Sequence, residues 1–479
     1  MSQHLNYIAG EWVEGRGTIT NINPSDLSDI VGHYASADEA ATGGAVAAAK
    51  AAFPQWAAAT PQTRADFLDV IGSEILARKE EIGRLLSREE GKPLSDGIAE
   101  AARAGQIFKF FAGEALRIEG TSIASVRAGV EVTVTREPLG VIGLITPWNF
   151  PAAIPAWKMA PALAFGNTVV IKPAELVPAT AWIIVEIAAR AGLPKGVLNL
   201  VMGKGSVVGE ALITNNDVAA VSFTGSTTVG ARVAQACLER GAKFQLEMGG
   251  KNPLIVLDDA DLSLAVAAAV NGAFYQTGQR CTASSRLVAT RKIHDQFVDR
   301  MIAAMKALKV DNALEPGTNV GPVVDERQLQ QDMKYLEIGR KEGAELAWGG
   351  ERLNRATNGF YLQPALFVNT DNRMQVNREE IFGPIASVIQ ADDYDHALSL
   401  ANDTSFGLSS GIFTSSLKHA SHFRKNSQAG MVMVNLPTAG VDYHVPFGGA
   451  KASSLGPREQ GRQAVEFFTS SRTHYVFSG

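Results

Sequence analysis

Val141-Ile142-Gly143-Leu144-Ile145-Thr146 is a short apolar run, and Thr168-Val169-Val170-Ile171-Lys172 is a second one. Between them, residues 156–164 have the spacing of a helix. A strand buried on both faces reads as an unbroken apolar run, and a helix between two such strands marks a βαβ unit. The pattern continues with strand-like residues 197–201 and 218–223, separated and followed by helical residues 179–191, 206–212 and 229–240. A second series places strands at 254–257, 286–289, 386–390 and 411–414, with helices at 261–276, 295–308, 335–343 and 396–402. Upstream, residues 35–119 are Ala-rich with helical spacing, and residues 130–138 alternate like a strand with one wet face. The fold class is therefore α/β, with a doubly wound parallel sheet. Two α/β bodies should meet at a cleft, with extra strands near 120–138 and at the C-terminus.

Composition narrows the function classes. The chain has 479 residues, 46% hydrophobic and 19% charged, which suits two to four domains with large cores and excludes disorder. Lys plus Arg number 44 against 49 Asp plus Glu, for a net charge of -5. Such weak acidity gives no reason to expect nucleic acid or an anionic membrane surface as partner. The two cysteines, Cys237 and Cys281, cannot build a disulfide framework or a cysteine-rich zinc site. No basic stretch followed by an apolar core opens the chain, and no run reaches the roughly 18–20 apolar residues that span a bilayer. A reducing cytoplasm is the expected location.

Seven segments carry possible chemistry. Cys281 lies in the polar loop Gly278-Gln279-Arg280-Cys281-Thr282-Ala283-Ser284-Ser285. A lone cysteine is ordinarily a small buried hydrophobe, but Arg280 or a helix terminus nearby would favour the nucleophilic thiolate. Cys237, on a helical pattern, reads as core. Pro147-Trp148-Asn149-Phe150-Pro151 follows a strand, and its prolines fix the backbone around an amide able to face an oxyanion. Lys172-Pro173-Ala174-Glu175 stands at another strand's carboxyl end, where open α/β sheets bind ligands and where an acid can accept from ribose hydroxyls. Phe223-Thr224-Gly225-Ser226-Thr227 leads from a strand into a helix, a place for pyrophosphate, although it is neither of the two common glycine-rich nucleotide motifs. Leu246-Glu247-Met248-Gly249-Gly250 offers a carboxylate between apolar neighbours, which is either a general base with a raised pKa or an exposed helix-end acid. Glu379-Glu380-Ile381-Phe382-Gly383-Pro384 and Pro446-Phe447-Gly448-Gly449 complete the set. His419 and His422 have helical spacing but no acid or thiol to complete a metal site, so no metal is expected.

In this order and spacing the seven segments resemble the aldehyde dehydrogenase superfamily, from about Tyr7 to the C-terminus. The resemblance implies Cys281 as nucleophile, Glu247 as general base, Asn149 as oxyanion-holding amide and Lys158 as a lysine near the proton route from the base. It implies NAD or NADP as cofactor. Lys172 and Glu175 would lie on the adenosine ribose, Gly225 and Ser226 at the pyrophosphate, Glu380 and Phe382 at the nicotinamide ribose, and Trp148 along the same passage. Residues 1–119 and 140–248 would form a Rossmann-type dinucleotide-binding domain, and residues 249–449 an α/β catalytic domain. Residues 120–139 and 450–479 would supply a small β oligomerisation flap and the C-terminal segment, making a homodimer or homotetramer.

Two segments narrow the substrate, a small-molecule aldehyde. Residues 434–449 and 281–286 resemble the α-ketoglutaric semialdehyde (2,5-dioxopentanoate) dehydrogenases of the family, as does Ser453-Ser454-Leu455-Gly456-Pro457-Arg458-Glu459. Members acting on succinic semialdehyde often carry arginines where this chain has Trp157 and Gln276. Succinic semialdehyde or a broad range of aldehydes is the alternative, and Thr282 and Phe447 are the expected pocket residues. Glu175 favours NAD, because a carboxylate repels a 2′-phosphate. A cysteine acyl-transfer enzyme without a redox step would keep Cys281 and Asn149 but leave the cofactor motifs without purpose. A non-catalytic scaffold protein would need none of these residues.

Overall fold

The computed structural model describes residues 3–477 and 479. Met1, Ser2 and Ser478, inside the expected outer boundaries, lie outside the described residues. The first sheet has eight strands. Its five central strands run parallel in the spatial order Lys243–Glu247, Val218–Thr224, Val141–Ile145, Thr168–Lys172, Leu198–Leu200. The chain starts in the middle, winds to one side and returns to wind to the other. The reversal falls between Val141–Ile145 and Val218–Thr224, the topological switch point outside which such sheets bind ligands. Thr168–Lys172 is buried at every position, which is why its sequence does not alternate.

The crossover helix is Ala153–Ala164, and every residue of it is buried. It begins before the expected residue 156 because Pro155 sits in its first turn, where a missing N–H costs nothing. The helix expected over 261–276 stops at Phe274. There the chain turns through left-handed Gln276 (φ 53°), Thr277 (φ 58°) and Gly278 (φ 65°), which no helix can include. The helical residues near 206–212 form one π turn, Gly205–Gly209, followed by Glu210–Thr214.

The second sheet has seven strands in the order Glu345–Trp348, Ala365–Thr370, Ile385–Ala391, Arg286–Thr290, Pro253–Val256, Ser409–Phe413, Met431–Val434. All its pairings are parallel except the edge strand Glu345–Trp348. A third sheet joins Thr469–Phe477, Val130–Pro138 and Thr121–Ala124.

Two features lie beyond the sequence reading. The N-terminal residues form strands: Asn6–Ile8 and Glu11–Val13 extend the first sheet, and Gly17–Asn23 pairs with Asp26–Ser36. The alternation Thr18-Ile19-Thr20-Asn21-Ile22 is the signal that would have revealed the hairpin. The C-terminal segment also returns to the first sheet, where Ser454–Leu455 pairs antiparallel with Lys243–Glu247. That return carries Ser454, Arg458 and Glu459 to the site below.

Candidate active site

Cys281 follows the left-handed turn at 276–278. The turn is pinned by Thr277, whose Oγ1 donates to the Gly321 carbonyl at 3.1 Å. Gly278 has no substitute, because a Cβ there would lie 2.2 Å from the Gly383 carbonyl oxygen. Asn252 donates its amide to the Cys281 carbonyl at 2.7 Å and to the Ala283 carbonyl at 2.9 Å, which fixes the backbone on both sides of the thiol.

Asn149 stands just beyond the strand Val141–Ile145, and its Nδ2 donates to the Gln279 carbonyl at 2.9 Å. Its backbone is held from the other side. Buried Lys92 donates to the Asn149 carbonyl at 2.7 Å and to Glu100 at 2.6 Å. Glu100 accepts in turn from the Ala152 and Ala153 N–H groups at 2.9 and 3.1 Å. Lys92 lies in the turn between the helices Lys79–Glu90 and Leu94–Ala115 and Glu100 on the latter, and only packing brings them here.

Cys281 forms part of the wall of two cavities. One, of about 290 Å³, is lined also by Trp148, Asn149, Gly225, Ser226, Glu380 and Phe382. The other, of about 140 Å³, is lined also by Arg103, Phe150, Trp157, Gln276, Thr282 and Phe447. The larger cavity brings together residues from four separate motifs, but not all of the expected cofactor residues. Phe382, left-handed at φ 64°, sets its ring against Trp148 edge-on at 5.3 Å. Glu380 accepts from the Gly250 N–H at 2.8 Å, and a Cβ on Gly249 would sit 2.1 Å from its Oε2, so glycine is required at 249. Ser226 caps the helix Thr227–Glu239, accepting from the Val229 N–H. Thr224 Oγ1 is buried and unpaired beside that helix start.

Lys172 and Glu175 lie apart from both cavity walls. Lys172 is buried at its strand's carboxyl end and donates to the Pro173 carbonyl at 3.0 Å; burial lowers its pKa to about 8. Glu175 is exposed in the loop that follows.

Glu247 ends the strand Lys243–Glu247 and is buried, so it is not an exposed helix-end acid. Its pKa is raised well above the usual carboxylate value, first by burial and then by the charge of Glu459. It accepts from the Ser454 hydroxyl. A Cβ on Gly448 would come within 2.8 Å of its Oε1. Lys158 does not touch Glu247. It is buried in an ion pair with Glu459 and donates to Ser222 Oγ at 2.8 Å; Ser222 is hydrogen-bonded to Gln245 at 3.0 Å.

Arg280 acts on Cys281 only through its charge, because its guanidinium donates to the Asn271 and Gly272 carbonyls, and burial outweighs that support. The Cys281 pKa is pushed up to about 12, by burial first and then by the charges of Glu380 and Glu247. The thiol is neutral in the free protein and needs a base. Cys237 is buried in the core, as expected.

The profile of the aldehyde dehydrogenase family matches residues 12–474. The chain belongs to the aldehyde dehydrogenase family. This aldehyde dehydrogenase is 44% identical to α-ketoglutaric semialdehyde dehydrogenase of Bacillus subtilis, over 99% of this chain and 98% of that protein. It is 40% identical to 2,5-dioxopentanoate dehydrogenase of Saccharolobus solfataricus, over 98% of each. Among solved structures, betaine aldehyde dehydrogenase of Staphylococcus aureus in complex with NAD+ superposes with a TM-score of 0.97 at 33% identity, covering 99% of this chain and 95% of that one. Among the described residues, no three His, Cys, Asp or Glu side chains are grouped to hold a metal, and no helix is long and apolar enough to cross a membrane.

Proposed function

We propose that this aldehyde dehydrogenase oxidises 2,5-dioxopentanoate to 2-oxoglutarate, using NAD in preference to NADP. One observation carries the reading: Cys281 lines two cavities, one whose polar lining suits a dinucleotide and one of a size for a small substrate. The relatives acting on that semialdehyde support the choice of substrate.

The larger cavity suits a dinucleotide by its donor set. The free N–H groups that open the helix Thr227–Glu239, together with Gly225, Ser226 and the unpaired Thr224 hydroxyl, suit a pyrophosphate. Glu380 suits ribose hydroxyls on the nicotinamide side, and Lys172 and Glu175 suit the adenosine ribose. The bound cofactor supplies the hydride acceptor.

The chain's own residues then have defined tasks. The Cys281 thiol gives its proton to solvent water, and the resulting thiolate forms a bond to the aldehyde carbon while the carbonyl π pair moves onto the oxygen. The Asn149 amide and the Cys281 backbone N–H hold the oxyanion, where a single donor is worth roughly 10²–10³ in rate. Loss of hydride from that carbon leaves a thioester on Cys281. Glu247 takes a proton from water, which attacks the thioester, expels the thiol and releases the carboxylate. Lys158, paired with Glu459 near the base, belongs to the route by which that proton leaves.

In this reading residues 1–119 and 140–248 bind the cofactor, residues 249–449 carry the nucleophile, and residues 120–139 with the C-terminal strand form the flap. A homodimer or homotetramer would cover the flap. Tyr475 and Phe477 on its long strand are 62% and 68% exposed, an apolar surface that a second copy would bury. Phe477→Asp should lower the mass seen by sedimentation equilibrium; a wild-type monomer would rule the assembly out. A cytoplasm that keeps thiols reduced suits Cys281.

The function is tested by kcat/KM for 2,5-dioxopentanoate, succinic semialdehyde, glutaraldehyde and simple alkanals, each with NAD and NADP. The highest value is expected for 2,5-dioxopentanoate with NAD. Absence of dinucleotide binding in a titration would favour a non-redox acyl-transfer enzyme instead.

A further inference from the structure

We propose that Arg103 anchors the far carboxylate of the substrate, with Trp157, Gln276 and Gln460 completing the anchor. This rests on reading the smaller cavity as the aldehyde site. Arg103 projects from the helix Leu94–Ala115 into the wall of that cavity, which it shares with Cys281. Its guanidinium lies over the Trp157 indole at 5.8 Å. Among the described residues its one hydrogen bond is weak, from Nη2 to Gln460 Oε1 at 3.4 Å, and its buried Nε has no partner. An arginine has five donors, and burying them unpaired is unfavourable unless a ligand takes them.

The nearby acids do not satisfy it. Glu100 and Asp442 both act on Arg103 through their charge. Glu100 is already held by Lys92 and two backbone N–H groups, and Asp442 is exposed. No Asp or Glu lines the smaller cavity. The other arginine on the wall, Arg280, spends its Nη2 on backbone carbonyls, although its Nε is also unpaired.

The neighbours of Arg103 have the same unmet need. Trp157 Nε1, Gln276 Oε1 and Gln460 Nε2 are buried without partners. Trp157 and Gln276 line the same cavity, and Gln460 is bonded to Arg103. Turning the Gln276 amide by half a rotation presents its NH2 group in place of the oxygen. A guanidinium, an indole N–H and the Gln276 carboxamide NH2 then share the cavity wall, with Gln460 behind the guanidinium. That donor set matches a carboxylate with an adjacent carbonyl, the far end of a 2-oxo acid. Phe150 and Phe447 supply apolar walls for the methylene chain between the two ends. Residues 157 and 276, which carry no arginine, are thus paired with a cation from another element.

The experiment compares wild type, Arg103→Met and Arg103→Lys by kcat/KM on 2,5-dioxopentanoate, succinic semialdehyde and pentanal. The ratio of kcat/KM on the carboxylated aldehydes to that on pentanal should fall about 10- to 100-fold in Arg103→Met, mainly through KM. Arg103→Lys should recover part of the ratio. Competitive inhibition by glutarate, a dicarboxylate without an aldehyde, should weaken by a similar factor. An unchanged ratio, with all aldehydes losing equally or none losing, would overturn the role of Arg103 while leaving the substrate reading in place. A wild-type enzyme that oxidises pentanal as well as the carboxylated aldehydes would overturn both.

Discussion

Cys281→Ala should abolish aldehyde oxidation, with a loss of about 10⁴-fold or more, and leave the fold intact. The residue is in contact with both cavities, and its side chain contributes little to any core, so truncation leaves no large void. Cys281→Ser should behave similarly, because a serine hydroxyl in this pocket has no base matched to its much higher pKa. Turnover like that of wild type in either variant would refute the assignment. The chemistry of the thiol gives an independent check. With the Cys281 pKa pushed up to about 12, the thiol form dominates at pH 7 in the free protein. Alkylation of the cofactor-free enzyme by iodoacetamide should therefore accelerate steadily with pH through pH 9 and not level off near neutrality. A plateau below pH 8 would mean that the thiolate is stabilised in the free protein. Mass spectrometry should place the label on Cys281, and Cys281→Ala should lose it, because Cys237 is fully buried.

The parallel strands were legible in the sequence because burial on both faces leaves uninterrupted apolar runs such as Val141–Ile145. A short motif carrying its own backbone constraint was legible too: Pro147 and Pro151 around Asn149. What escaped the sequence reading depends on distant packing. Arg103 sits on an Ala-rich helix and resembles any solvent-facing charge of such a helix. Its partial burial arises where helix Leu94–Ala115 meets Trp157 of Ala153–Ala164. Glu459 has no partner in the sequence around it, yet the C-terminal return through Ser454–Leu455 places it beside Lys158 and within electrostatic reach of Glu247. The engagement of Arg280 has the same origin. Sequence adjacency put its charge next to Cys281, but the left-handed turn before it directs the side chain to Asn271 and Gly272. The N-terminal hairpin is different, since the alternation over Thr18–Ile22 is present in the sequence and carries no long-range dependence.

Glu247→Gln should separate the two halves of the reaction: a rapid burst of NADH, close to one per active site, followed by turnover slowed about 10²- to 10⁴-fold. The burst survives because acylation needs Cys281 and Asn149, and the substitution removes an obstacle to the former. The negative charge of Glu247 is one of the causes that raise the Cys281 pKa, so an uncharged amide makes the thiol no harder to ionise. The amide is also close in shape to the carboxyl, and its oxygen can accept from Ser454 as Glu247 does. Deacylation loses its base, since an amide cannot take a proton from water. The pH profile provides the sign. Burial and Glu459 raise the Glu247 pKa, so at a given pH more of it is protonated than an ordinary carboxyl. Only the ionised form can activate water, and wild-type thioester hydrolysis should therefore rise with pH through that raised pKa. In Glu247→Gln this rise should vanish from the slow phase. Weakening the Glu459 charge, as in Glu459→Gln, should move it to lower pH. Loss of the burst itself in Glu247→Gln would assign Glu247 to the activation of Cys281 in place of water. A slow phase that kept the wild-type pH profile would place the deacylating base on another residue.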